Sequence, residues 1–162
     1  MQYIVYVDGF CKGNGRSDAK AGGSFAVYKL EDGDMINDAL HQKLRGIPPL
    51  YHDREFSVVV MEKEHATNNY AEATALRTAI SWLISGGLLI PGNRIHICMD
   101  SQLVLNQVSG LYKTRSDHLR KIYQSIYALL GQHEKKIGMN AEKLISFHWI
   151  SGDIMKASVI AH

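Results

Sequence analysis

Three carboxylates in this chain stand where the surrounding pattern makes a charge conspicuous. Asp8 closes a run rich in β-formers, residues 2–8, and alternation sets it on the face of Ile4 and Tyr6. Asp100 closes a second such run, Arg94 to Met99, just before Ser101; a strand with an acid at its carboxyl end, running into a helix, is where α/β folds commonly build sites. Glu72 lies one turn before Leu76, on the stripe Leu76, Ala79, Ile80, Leu83 and Ile84 of an amphipathic helix. A charge on that stripe is costly unless something satisfies it. One reading is local, a capping box with Asn69 as N-cap and Glu72 three residues on. The other sets Glu72 with two further carboxylates, Asp8 and Asp100, each at the end of a strand.

The elements that must position these acids can be read in order. After the first strand, Gly13, Asn14 and Gly15 mark a turn, and Gly22-Gly23 opens a second strand through Tyr28, so the pair should be an antiparallel hairpin. Residues 31–55 are polar and contain Pro48-Pro49, and read as an insertion or long loop. Phe56 to Met61 reads as the third strand, followed by the helix that carries Glu72 and ends at Gly86-Gly87. Arg94 to Met99 is the fourth strand, Gln102 to Val108 a short helix, and Leu119, Ile122, Tyr123, Ile126, Tyr127 and Leu130 mark a long amphipathic helix from Ser116. Lys143 to Ile150 is a fifth strand and Ile154 to Ala161 a final helix. The fold class expected is α/β, a mixed five-stranded sheet flanked by helices, with three antiparallel strands and then two parallel ones.

Composition bounds the rest. A chain of 162 residues, 46% of them hydrophobic, suits one domain, residues 1–162, with a full core. No apolar run approaches the ~20 residues of a membrane span, and no basic stretch precedes an apolar one at the N-terminus, so a cytoplasmic protein is the default expectation. Cys11 and Cys98 form neither a disulfide framework nor a CxxC pair. The formal charge of +2 permits a polyanionic partner without demanding one.

Taken together, Tyr6-Val7-Asp8-Gly9 with Gly13-Asn14-Gly15 and Gly22-Gly23, then Thr67-Asn68-Asn69-Tyr70-Ala71-Glu72, then Asp100-Ser101-Gln102-Leu103-Val104 with Asn106-Gln107 and Gly110, resemble the successive motifs of type-one ribonuclease H. The agreement runs from first strand to last, apart from the insertion, and the segment from Asp100 to Lys113 is similar to compact prokaryotic and archaeal members without a basic protrusion. The resemblance implies a ribonuclease H-like fold and hydrolysis of the RNA strand of an RNA–DNA hybrid, leaving a 3′-hydroxyl and a 5′-phosphate. It also implies Asp8, Glu72 and Asp100 as catalytic metal ligands for Mg²⁺ or Mn²⁺, two ions roughly 4 Å apart with substrate bound. A monomer is the default oligomeric state.

The fourth carboxylate of that family is where this chain departs. The family's last helix reads Asn-x-x-Ala-Asp-x-x-Ala; matching Ala157-Ser158 and Ile160-Ala161 to it puts Met155 near the Asn and Ser158 at the Asp. A serine hydroxyl is a weak neutral ligand, and Asp153 either substitutes from the loop side or caps the helix. The alternative function is therefore a nucleic-acid-binding domain of this fold with weak or no cleavage. Substrate contacts implied by the resemblance are Gly9, Asn14, Asn68, Ser101 and Gln102, set against ordinary turn and cap chemistry. Lys12, Arg16, Lys20, Lys113 and Arg115 are candidates for phosphates. His148, inside a strand, reads as a packed or hydrogen-bonded histidine.

Overall fold

The structure, a computed structural model, describes residues 1–13, 20–58 and 67–158. A run rich in β-formers, Tyr3 to Val7, leads β1 (Gln2–Lys12), which pairs antiparallel along its whole length with β2 (Lys20–Leu30). Next come α1 (Asp38–Leu44), β3 (Tyr51–Val58), α2 (Asn68–Ser85) and β4 (Arg94–Met99). The chain continues through α3 (Gln102–Val108), α4 (Asp117–Ile137), a single 3₁₀ turn at Ala141–Lys143, β5 (Ile145–Trp149) and α5 (Gly152–Lys156). The sheet order is β3-β2-β1-β4-β5; β3, β2 and β1 are antiparallel neighbours, and β4 and β5 join parallel beside β1. This is the mixed five-stranded arrangement expected.

Alternation along β1 divides the core in two. Tyr3, Val5 and Val7 face α2 and α4, where they meet Phe25, Val27, Leu76, Ile80, Leu83 and Ile126. Ile4 and Tyr6 face the other way, toward Leu40 and Leu44 of α1 and Met155 of α5. Both faces of the central strand are therefore dry, and Asp8 is the next residue of the second series, where the strand runs out of cover.

Two expectations are corrected here. Residues 31–55 are not merely a loop: α1, capped by Asn37 Oδ1 accepting from the Leu40 N–H at 3.0 Å, packs on the sheet, and the buried Tyr6 hydroxyl meets His41 Nδ1 at 2.6 Å. The third strand begins at Tyr51 rather than Phe56, and residues 59–61 lie outside those described. Its pattern was hidden by a bulge. Asp53 pairs with Phe25 and Phe56 with Gly23, so β3 carries one extra residue there, and Tyr51 and Phe56 both reach the Phe25 ring although five positions separate them. As an edge strand β3 also tolerates the polar residues that mask it. Smaller shifts affect the end of the chain: β5 is Ile145–Trp149, preceded by the 3₁₀ turn, and α5 starts at Gly152, two residues before the expected helix.

One contact sets the position of α2. A Cβ added to Gly9 would lie 2.4 Å from Ala71 C and from Glu72 N, so the backbones of β1 and α2 touch with no side chain between them. Gly9→Ala is expected to cost about 1–3 kcal/mol, because the helix must lift away. Denaturant unfolding of the variant measures this; an unchanged midpoint would mean that the approach is not a constraint.

Candidate active site

The close approach at Gly9 delivers Glu72 to the tip of β1. The N-cap of α2 is Thr67, whose hydroxyl accepts from the Tyr70 N–H at 3.2 Å. The capping-box reading, with Asn69 as cap, is thereby corrected: Glu72 is five residues past the cap, too far into the helix to reach back to it. It is instead buried, 8% exposed, against the ends of β1 and β4. Carboxylate oxygens of Asp8, Glu72 and Asp100 all lie within 4.8 Å of one another. Elements far apart in the chain meet here because β4 is the parallel neighbour of β1, which sets the two strand tips side by side.

This is an electrostatically costly arrangement. Burial pushes the Glu72 carboxyl up to about 10, the charges of Asp8 and Asp100 push the same way, and the Gly9 N–H opposes them. Burial also raises Asp100, opposed by a hydrogen bond from its own backbone N–H, by one with the Glu72 side chain and, least, by the Lys156 charge. Glu72 Oε2 is buried with no hydrogen-bond partner among the described residues. Three hard oxygen donors, one of them an orphaned buried atom, are what a divalent cation would satisfy.

Neighbouring groups hold the frame. Asn68 Oδ1 accepts from the Cys11 N–H at 2.9 Å, pinning the end of β1 to the first turn of α2. Ser101 is the N-cap of α3, accepting from the Val104 N–H at 3.2 Å, and Gln102 is exposed on its first turn.

Comparison with solved structures now bears on this frame. Ribonuclease H1 from the halophilic archaeon Halobacterium salinarum matches 98% of this chain and 92% of its own, with TM-score 0.67 and 20% identity. The N-terminal RNase H domain of a Mycobacterium tuberculosis protein, solved as a fusion with maltose-binding protein, matches 98% and 93%, with TM-score 0.64 and 21% identity. The fold is that of ribonuclease H1. LC11-RNase H1, isolated from compost and solved in complex with an RNA/DNA hybrid, matches 93% of this chain and 86% of its own, at TM-score 0.60 and 21% identity. No family profile and no curated protein matches the sequence. The likeness therefore lies in the fold, and the chemistry has to be argued from this chain's own residues.

Within the ribonuclease H fold, the C-terminal flank differs from what the motif match implies. Ser151 caps α5 through the Ile154 N–H, so Asp153 is not the N-cap; it is exposed on the first turn and is not part of the carboxylate cluster. Ser158 follows the helix, its hydroxyl donating to the Met155 carbonyl at 2.6 Å, and it lines a small cavity with Tyr6, Tyr28, His41 and Arg45. Among the described residues, α5 brings no carboxylate to Asp8, Glu72 and Asp100. His148 is hydrogen-bonded within the sheet, its Nε2 3.0 Å from His96 Nδ1, as expected of a packed histidine. Asn14 and Arg16 lie outside the described residues, and Lys12, Lys20, Lys113 and Arg115 are exposed.

Two neighbours of Asp100 were not singled out from sequence. Trp149 donates its indole N–H to the Asp100 carbonyl at 3.1 Å, and Gly152 is so near that an added Cβ would stand 4.0 Å from Asp100 Oδ2. Nothing in the local pattern marks either, since both depend on β5 lying parallel beside β4.

The Glu72 shift has a signed consequence. A carboxyl whose folded value exceeds its unfolded one stabilises the fold most at low pH, so stability of the metal-free protein is expected to fall as pH rises from the ordinary carboxylate range toward about 10. Thermal unfolding with and without Mg²⁺ measures it. The metal-induced gain should be larger at about pH 8 than at about pH 5, and Glu72→Gln should stabilise the metal-free protein while abolishing the gain. A gain independent of pH would contradict the assignment.

Proposed function

We propose that the protein is a metal-dependent endonuclease that hydrolyses the RNA strand of RNA–DNA hybrids. The observation that carries this reading is the carboxylate cluster itself, three acids with oxygens within 4.8 Å and, among the described residues, a buried unpartnered Glu72 Oε2, at the sheet tip of a ribonuclease H fold. Asp8, Glu72 and Asp100 would hold Mg²⁺ or Mn²⁺, two ions when substrate is bound. When bound, such ions activate water and neutralise charge on the attacking and leaving oxygens.

The chain's own contribution is rigidity and charge. Asp8 and Asp100 are fixed by strand ends, and Glu72 by a helix whose backbone rests on β1, so the three carboxylates hold their spacing before any ligand arrives. Glu72 must give up its proton to serve as ligand, so cation binding should release a proton and tighten as pH rises. Hydrolysis breaks the bond between phosphorus and the 3′ oxygen as water attacks in line, leaving a 3′-hydroxyl and a 5′-phosphate. A hybrid is recognised by shape and by the 2′-hydroxyls of its RNA strand. Asn68, Ser101, Gln102 and Gly9 flank the acids and are the candidate contacts there, and Asn14, outside the described residues, is a further candidate from the motif; the RNA/DNA complex of LC11-RNase H1 supports the substrate class.

A second reading is a domain of this fold that binds nucleic acid but cleaves it poorly. It is favoured by one observation, the lack of a carboxylate from α5 in the cluster among the described residues, with Ser158 turned to the Met155 carbonyl. Labelled hybrid, duplex RNA and duplex DNA, each incubated with Mg²⁺, Mn²⁺ or EDTA, separate the two. The enzyme reading expects metal-dependent loss of the hybrid's RNA strand alone, reduced by about a hundredfold or more in Asp100→Asn. Hybrid that is bound and left intact in both metals would favour the binder.

A further inference from the structure

Among the described residues the β5–α5 flank brings no carboxylate into the cluster, Asp153 being exposed on the first turn of α5, and it presents an aromatic ring and a cation near Asp100. Trp149 is the last residue of β5, 51% exposed although it is one of the largest apolar side chains in the molecule. Its indole N–H donates to the Asp100 backbone carbonyl at 3.1 Å, which fixes the ring against the end of β4 from which Asp100 enters the acidic cluster. Three residues later the first turn of α5 passes close to Asp100, the place of a Gly152 Cβ being 4.0 Å from Oδ2. Lys156 stands four residues after Gly152, hence on the same side of the helix, and is exposed. Its charge is felt at Asp100, where it opposes the effect of burial.

Lys156 is exposed as lysines ordinarily are, but the exposure of Trp149 needs a reason. An indole left half in water normally packs elsewhere or serves at an interface. The chain's other tryptophan shows the contrast, Trp82 being stacked on Tyr51 with ring centroids 4.3 Å apart. An aromatic plane and a cation bordering one site can together hold a nucleic-acid strand, the ring packing on a sugar or an accessible base and the charge meeting a phosphate.

We propose that Trp149 and Lys156 form a nucleotide subsite on the β5–α5 side of the carboxylate cluster, Trp149 packing against a base or sugar next to the scissile phosphate and Lys156 meeting a backbone phosphate. The inference rests on the hybrid-nuclease reading and adds the residues that seat the strand. It also gives the flank a function in place of a fourth acid: a fixed positive charge attracts phosphate where a carboxylate would repel it until a cation intervened.

The test uses fluorescence and binding rather than turnover. In a Trp82→Phe background Trp149 is the only indole, the chain having two tryptophans. Labelled hybrid is titrated with Ca²⁺ replacing Mg²⁺, its integrity checked on a gel, while anisotropy reports binding and Trp149 emission reports the subsite. Emission is expected to change along the same isotherm as anisotropy. Trp149→Ala should weaken binding by about tenfold and Trp149→Phe much less, with circular dichroism confirming that each variant is folded. Lys156→Gln should lower the slope of log affinity against log salt by about one. Binding with silent emission, and with both variants matching the parent in affinity and salt slope, would overturn the subsite while leaving the nuclease reading intact. No binding of the hybrid at low salt would overturn both.

Discussion

The backbone of α2 lies directly on the backbone of β1 at Gly9, and the carboxylate cluster depends on that contact. It brings a helix-borne carboxylate into the angle between two strand tips, where Asp8 and Asp100 already stand. With Asp8 and Asp100 charged, Glu72 keeps its proton well above the ordinary carboxylate range, and ionising it for a cation would set like charges together at a few kcal/mol per pair. The fold withstands this because the apolar stripe of α2 below Glu72, from Leu76 through Leu83, is wholly buried against the sheet. Packing along several helical turns thus holds the first turns in a place that electrostatics alone would not choose.

The sheet's two covered faces explain why the cluster sits at the tip. On β1 the residues before Asp8 alternate between two dry layers, so a charge anywhere earlier in the strand would be buried without solvent or ligand. At Asp8 the cover ends. The parallel pairing of β4 with β1 brings Asp100 level with it, and that of β5 with β4 sets Trp149 beside Asp100. The same register therefore supplies the acids and the exposed surface next to them.

Much of this was legible from the chain, for physical reasons that also explain what was not. Asp8 and Asp100 were readable because β-formers lead up to each and a turn or helix follows, a local pattern that survives tertiary context. Glu72 is conspicuous as a charge on an apolar stripe, yet the helix cap is not, since Thr67 and Asn69 are both good caps and only the fold chooses between them. The bulge in β3 put Tyr51 and Phe56 on one face at an odd spacing, which defeats a search for alternation. Helix α1 has only Leu40 and Leu44 as aliphatic anchors, too few to stand out in a polar stretch. Trp149, Gly152 and Lys156 acquire their meaning only from a strand and helix packed beside Asp100, a relation that no window of sequence contains.

The central claim, that the fold forces three acids together to hold divalent cations, is tested most directly by anomalous diffraction from crystals soaked in Mn²⁺. The account predicts a strong anomalous peak bounded by Asp8, Glu72 and Asp100, with Glu72 Oε2 among its ligands. A map with no peak there at saturating Mn²⁺, or with one only at other carboxylates, would contradict it.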